Sequence, residues 1–381
     1  MDDHSSARDD HSSASEDRGS ASPAGAGVAL AGLALAAAAL PWNARGVGPV
    51  ENVTLAALAS VAFLAFSLRR HGALARGPGS VVAGLASVGV VGHLGLVGTG
   101  ALATGGSAVP SWWAVAFGLA GGVGGALAAY GDLRGFPASF GPAVKAASWG
   151  LAVGYLGLFA IAAWSSVLLS AAAGVVSGDP GPAIRQVISS VGLGLGTGTV
   201  ALAYFQWTDN SWPYLDVAWP NRRDAGYVVG GTVALVGFQF GVSELFARLG
   251  LATADHSVQQ SAASGTPEFL LLLVPASFLF VGPGEELLYR NVVQKDLYDT
   301  FGEWGAVVVG SAVFALAHIP AYAAGASLSG LATTLVVILA LSVVLGATYL
   351  KTGNLTVPIL VHGAYDAVTF LVLYLQLTGG V

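Results

Sequence analysis

Long apolar runs, separated by short polar or Gly/Pro-rich joints, set the pattern of this chain from residue 24 onward. They fall at about 24–42, 52–68, 79–101, 109–130, 146–176, 185–206, 225–247, 266–287, 303–319, 327–350 and 355–377. A helix needs roughly 20 apolar residues to cross the hydrocarbon core of a bilayer. The pattern therefore predicts an all-α polytopic transmembrane bundle of about eleven spans (10–11), with 52–68 and 303–319 the shortest. Breaks such as Arg76-Gly-Pro-Gly and Gly135-Phe-Pro punctuate the runs. The first run follows a long acidic leader instead of a short basic one, so it reads as a retained span and not a cleaved signal.

Residues 1–23 are different. They carry a direct repeat, DDHSSAR then DDHSSAS, with six acids against two Arg. So little apolar surface cannot offset the entropy of ordering, and the segment is expected to be a disordered tail. The domain plan is thus 1–23 tail, 24–180 N-terminal helices of unassigned role, and 181–381 a C-terminal core.

Composition narrows the function classes. Only 9% of residues are charged and 54% are hydrophobic, with 54 Gly, against about 25% charged in ordinary soluble domains. No Cys is present, which removes thiolate metal sites, disulfides and Cys nucleophiles. The net charge is −6, most of it in the tail, so no basic surface for nucleic acid exists. Asp outnumbers Glu and few of the basic residues are Lys, which hints at a salt-adapted prokaryote. Loop Lys and Arg fall mostly on one side: Arg69, Arg70, Arg76, Arg134, Lys145, Arg222, Arg223, Arg290, Lys295 and Lys351, against Arg45, Arg185 and Arg248. The positive-inside rule then places the N-terminus in the cytoplasm of a multi-pass protein of the plasma membrane.

Ionisable residues within spans are costly and become functional candidates. They concentrate in the last third: Glu285, Glu286, Arg290, His318, His362 and Asp366. Glu286 and Arg290 stand at i, i+4 with the acid first, the favourable order for pairing. Glu285 points about 100° away, free to exchange a proton. His318 ends a helix just before Pro320 and reads on its own as a capping residue. His362 and Asp366, again at i, i+4, share a face, an arrangement that orients an imidazole or shares a metal. His93 inside a span reads as a hydrogen-bonded structural residue, and Glu244 with Arg248 as a local ion pair.

Glu285-Glu286-Leu-Leu-Tyr-Arg290, Phe314-Ala-Leu-Ala-His318 and His362-Gly-Ala-Tyr-Asp366, in that order on three apolar helices, resemble the CPBP family of type II CAAX prenyl proteases and bacteriocin-processing or immunity-type (Abi) membrane proteins. The resemblance covers about 266–377. It implies an intramembrane endopeptidase that hydrolyses peptide bonds of membrane-associated substrates. Glu285 and His318 would activate water, Glu286 would pair with Arg290, and His362 and Asp366 would stabilise the oxyanion. The resemblance implies Asn or Asp where Asp366 stands. An ionised Asp only accepts hydrogen bonds, so here it is protonated, orients His362, or faces a cation. A metalloprotease reading would use Glu285, His318 and His362 as ligands of a divalent metal such as zinc.

The partners implied are membrane lipid and a peptide or protein at the membrane, with no nucleic acid. A non-catalytic scaffold or immunity-type binder on the same fold, or an ion-coupled transporter, is the alternative. The catalytic reading requires the motif residues to meet in one polar cavity, expected to open toward the cytoplasm.

Overall fold

A computed structural model describes residues 22–40, 49–98, 112–175, 180–209, 212–324 and 326–380. The tail expected over 1–23 lies outside these residues except at its final positions. Regular structure among the described residues is all helical, as the apolar pattern requires of a chain in lipid. Among the described residues ten helices are long and apolar enough to cross a membrane, and the protein is a multi-pass membrane protein. This agrees with the ten to eleven spans expected; the first run, α1 (Pro23–Ala39), is a shorter apolar helix of 17 residues.

The described residues form two compact units, one ending at Pro137 and one beginning at Ala138. This boundary lies before the one expected at 180/181, because the helix over Phe140–Val175 packs with the C-terminal elements.

The first unit comprises α1, α2 (Pro49–Arg70), α3 (Arg76–Gly98) and α4 (Trp112–Arg134). Buried Ala24, Gly27, Ala31, Ala34 and Ala37 give α1 a small-residue face, which substitutes close backbone contact for side-chain bulk. A Cβ on Gly121 of α4 would come within 2.6 Å of the α1 backbone. Buried Asp132 accepts from Arg69 Nε at 2.9 Å and Ser80 Oγ at 2.6 Å, and its carbonyl accepts from Arg76. His93 is buried here.

The second unit comprises α5 (Phe140–Val175), α6 (Pro182–Trp207), α7 (Arg222–Leu249), α8 (Ser257–Ser264), α9 (Phe269–Ala276), α10 (Gly282–Glu286), α11 (Tyr298–Ala317), α12 (Ile319–Tyr322), α13 (Leu328–Thr352) and α14 (Thr356–Thr378). Two π-helical stretches, Ser277–Val281 and Leu287–Gln294, join α9 and α10 into one span, Phe269–Gln294. Pro275 and Pro283 each lack the N–H that closes an α-helical turn, and the backbone widens between and beyond them. Gly284 permits the close approach of α6, since a Cβ there would lie 2.6 Å from Thr197 Oγ1. α11 contains a break at Gly302, whose φ is 67°, in the left-handed region that glycine enters freely.

Neighbouring helices fix which ends lie together. Tyr204 bonds Asp296, Arg223 bonds the Lys351 carbonyl, and Ala218 bonds Asn354, gathering one end of the unit. At the other end Ala254 bonds Thr334 and Gln260 bonds the Ala324 carbonyl. Val258, Phe269, Leu270, Phe370 and Leu373 pack together there. Glu244 and Arg248 form the local pair, 2.7 Å apart on an exposed surface.

Candidate active site

The site is assembled around the turn α10 and the helix ends that reach it. Glu286 and Arg290 are both fully buried and joined by Oε2–Nε at 2.9 Å. Arg290 Nη2 donates to Ser342 Oγ at 2.9 Å, and the guanidinium lies 5.1 Å from the Phe314 ring centroid. The other oxygen of Glu286 accepts from His362 Nδ1 at 2.8 Å. One buried carboxylate therefore holds the arginine and orients the imidazole, and such a charge is tolerated inside lipid only because it is fully paired.

Glu285 turns the other way, into a cavity of about 980 Å³ lined also by Tyr289, Phe314, His318, His362 and Asp366. Its Oε2 lies 3.9 Å from Nε2 of His318 and 3.9 Å from Nε2 of His362. Those separations exceed a direct hydrogen bond and suit a small oxygen species held between the three groups. His318 caps α11, and its Nδ1 donates to the Phe314 carbonyl at 2.8 Å. In the neutral ring that bond leaves the Nε2 lone pair toward Glu285. Asp366 Oδ2 is 3.7 Å from His362 Nε2, on the cavity side of a ring that Glu286 already orients. Every residue singled out in the three motifs thus contributes to one constellation.

The Phe314 ring organises it, at 4.4 Å from His318, 6.1 Å from His362 and 5.0 Å from Tyr289, centroid to centroid. Gly363 lets α14 approach, because a Cβ there would meet the Phe278 ring at 2.7 Å.

Among the described residues no group of three His, Asp or Glu side chains is arranged to hold a metal ion. Ligand atoms around tetrahedral zinc, each about 2.0–2.2 Å from it, sit roughly 3.3 Å from one another. The 3.9 Å separations within Glu285, His318 and His362 are wider. As arranged, these residues do not fit a zinc centre, and no step is derived through one.

The structure adds residues that the motifs do not reveal. His256, the N-cap of α8, accepts from the Val258 N–H at Nδ1, 3.0 Å away, so its neutral ring carries hydrogen on Nε2. It lines the same cavity and packs edge-on against Tyr322, 4.8 Å between centroids. Burial, and secondarily His318, push its pKa down to about 4, which keeps it neutral at pH 7. Asn291 and Gln294 are also fully buried. Their only sequence signal is polarity in the stretch after Arg290, where seven consecutive residues from Leu288 to Gln294 are buried whatever their polarity.

The cavity extends toward one end of the second unit. Its wall comes from Gln186 to Thr197 of α6, Leu235 to Phe246 of α7, Thr253 to Gln259, His318 to Tyr322, Thr334 to Leu345 of α13, and Asp366 to Gln376 of α14. These belong to the end opposite Arg222, Arg223, Lys295 and Lys351. His318 stands at the far end of α11.

Residues 267–368 match the family model described as type II CAAX prenyl endopeptidase Rce1-like. All three motifs lie inside that stretch; His256 and the first unit lie outside it. No curated protein matches the chain. No solved structure matches it either.

Proposed function

We propose, for a chain whose residues 267–368 belong to the CPBP/CAAX-protease family, that the cavity is the active site of an intramembrane endopeptidase cleaving membrane-associated peptides. The observation that carries this reading is Glu285 Oε2, equidistant at 3.9 Å from two imidazole Nε2 atoms. A peptide amide requires an activated water, a donor for its carbonyl oxygen and a proton for the leaving amine. Glu285 takes a proton from water while His318 Nε2 accepts the second O–H and aims the oxygen. The oxygen bonds to the carbonyl carbon, and the C=O electron pair moves to the oxygen. With Nδ1–H committed to Glu286, a proton on His362 Nε2 makes that ring an oxyanion donor, and protonated Asp366, 3.7 Å from the same nitrogen, is a second donor. Collapse breaks the C–N bond, and Glu285 returns its proton to the amine. Water is consumed, an acid and an amine are released, and the enzyme is restored.

Glu286 and Arg290 act by position, not contact with substrate. A plasma-membrane location with a cytoplasmic N-terminus completes the reading. The test is cleavage of a membrane-anchored reporter by Glu285→Ala, His318→Ala and His362→Ala. Each is expected to abolish cleavage while expression and membrane insertion persist. Undiminished cleavage by any of the three would remove that residue from the chemistry, and no cleavage by the parent would favour a scaffold or transporter on the same fold.

A further inference from the structure

The two ends of the second unit differ in charge and in closure, and the cavity reaches only one of them. From Ala138 onward the basic residues outside the buried Arg290 number seven. Five of them, Lys145, Arg222, Arg223, Lys295 and Lys351, belong to one end; Arg185 and Arg248 belong to the other. Lys145 joins the first group because Gly150, a turn further along α5, lies against Val293. Loops rich in Lys and Arg stay on the cytoplasmic side, whereas acidic residues count little in that choice.

The basic end is closed beneath the catalytic cluster. Asp216, in the segment between α6 and α7, accepts at Oδ2 from Lys295 Nζ at 2.8 Å, from Asn291 Nδ2 at 3.4 Å and from the Tyr349 hydroxyl. The Tyr214 carbonyl accepts from the same Lys295 and Asn291, at 2.8 and 3.2 Å, and the ammonium lies 4.0 Å from the Tyr214 ring centroid. The Leu355 N–H donates to the Asp216 carbonyl at 2.6 Å. Behind this knot Glu286, Arg290, Asn291 and Gln294 are all 0% exposed. The segment 214–216 is thus pinned across the ends of three helices as a plug.

At the other end the cavity wall is largely apolar but carries polar side chains. Gln239 and Ser243 on α7, Asp255, His256, Ser257 and Gln259 before and within α8, and Thr334 on α13 line the cavity. We propose that the catalytic cavity opens to the extracytoplasmic face of the membrane, and that its substrates are membrane-anchored peptides presented from that side. This rests on the peptidase reading for the word substrate, but the direction of opening stands on charge and closure alone. A consequence follows for substrate class. Proteins lipidated in the cytoplasm and held on the inner leaflet cannot reach Glu285 past the Asp216 plug; the scissile bond must belong to an exported or outward-facing segment.

The chain contains no Cys, so single-cysteine variants report cleanly. Ser257 at the cavity end and Thr300 at the basic end are both exposed. With a membrane-impermeant maleimide on intact cells, Ser257→Cys is expected to label, and Thr300→Cys only after permeabilisation. Ser264→Cys and Asp299→Cys, also exposed, form a second pair should the first express poorly. Labelling of the basic-end variants in intact cells, with the cavity-end variants protected until permeabilisation, overturns the proposal. The result does not depend on activity, so an outward-facing label on an inert protein would sink the peptidase reading and leave the orientation standing.

Discussion

His362 Nδ1 and Glu286 Oε1 lie 2.8 Å apart, 76 residues distant in the chain. The acid that secures Arg290 is thus also the one that orients the catalytic-side imidazole. Asp366, the residue one turn from His362, does not perform that task. Two adjacent glutamates accordingly carry separable duties, and separable losses.

Glu286→Gln should unfold more readily than it should lose chemistry alone. It removes one partner of a fully buried ion pair and leaves Arg290 uncompensated, a change worth about 3–5 kcal/mol. Glu285→Gln, bordering the cavity, should leave thermal unfolding in detergent nearly unchanged while cleavage falls by about 10²–10⁴. The opposite pattern would reverse the two assignments.

Asp366→Asn should keep cleavage within about tenfold of the parent. Its oxygen sits 3.7 Å from His362 Nε2, where an amide can also donate to an oxyanion, and loss of such a donor costs about 10²–10³. A drop of that size, together with activity abolished by chelator and restored by zinc, would favour an ionised Asp366 serving a cation.

His256→Asn separates the cap from the cavity. Asn is a good N-cap, so α8 should be retained, while the Nε2–H facing the cavity is lost. A neutral hydrogen bond contributes about 0.5–1.5 kcal/mol, and cleavage should fall by up to roughly tenfold with little change in unfolding temperature. Equal cleavage by the variant would leave His256 as a helix cap only.

Gly284→Ala should destabilise the second unit by about 1–3 kcal/mol through overpacking, because the new methyl would meet Thr197 Oγ1 at 2.6 Å and Leu193 at 2.8 Å. Thr197→Ala in the same chain should recover part of that loss. Additive effects in a double-mutant cycle would mean that α6 moves aside instead.

The sequence by itself determined that the chain is an all-α membrane bundle, because lipid leaves the backbone no other way to satisfy its polar groups and the apolar runs are long. It also determined which residues are candidates, since Glu285, His318 and His362 are too costly in a span to be incidental. The i, i+4 spacing of Glu286 and Arg290 foretold their pairing, because that interaction is local to one helix. Every relation between helices, by contrast, comes from packing. The spacing of His362 and Asp366 suggested that the acid orients the ring, yet the partner is Glu286 on another span, brought there by helix packing. His256 and Asp216 carried no motif, because their significance is a matter of which helix ends meet. The end of the second unit toward which the cavity extends was likewise hidden. Hydropathy records how much of a helix is apolar, but which halves of neighbouring helices part to leave a cavity depends on contacts between residues far apart in the chain.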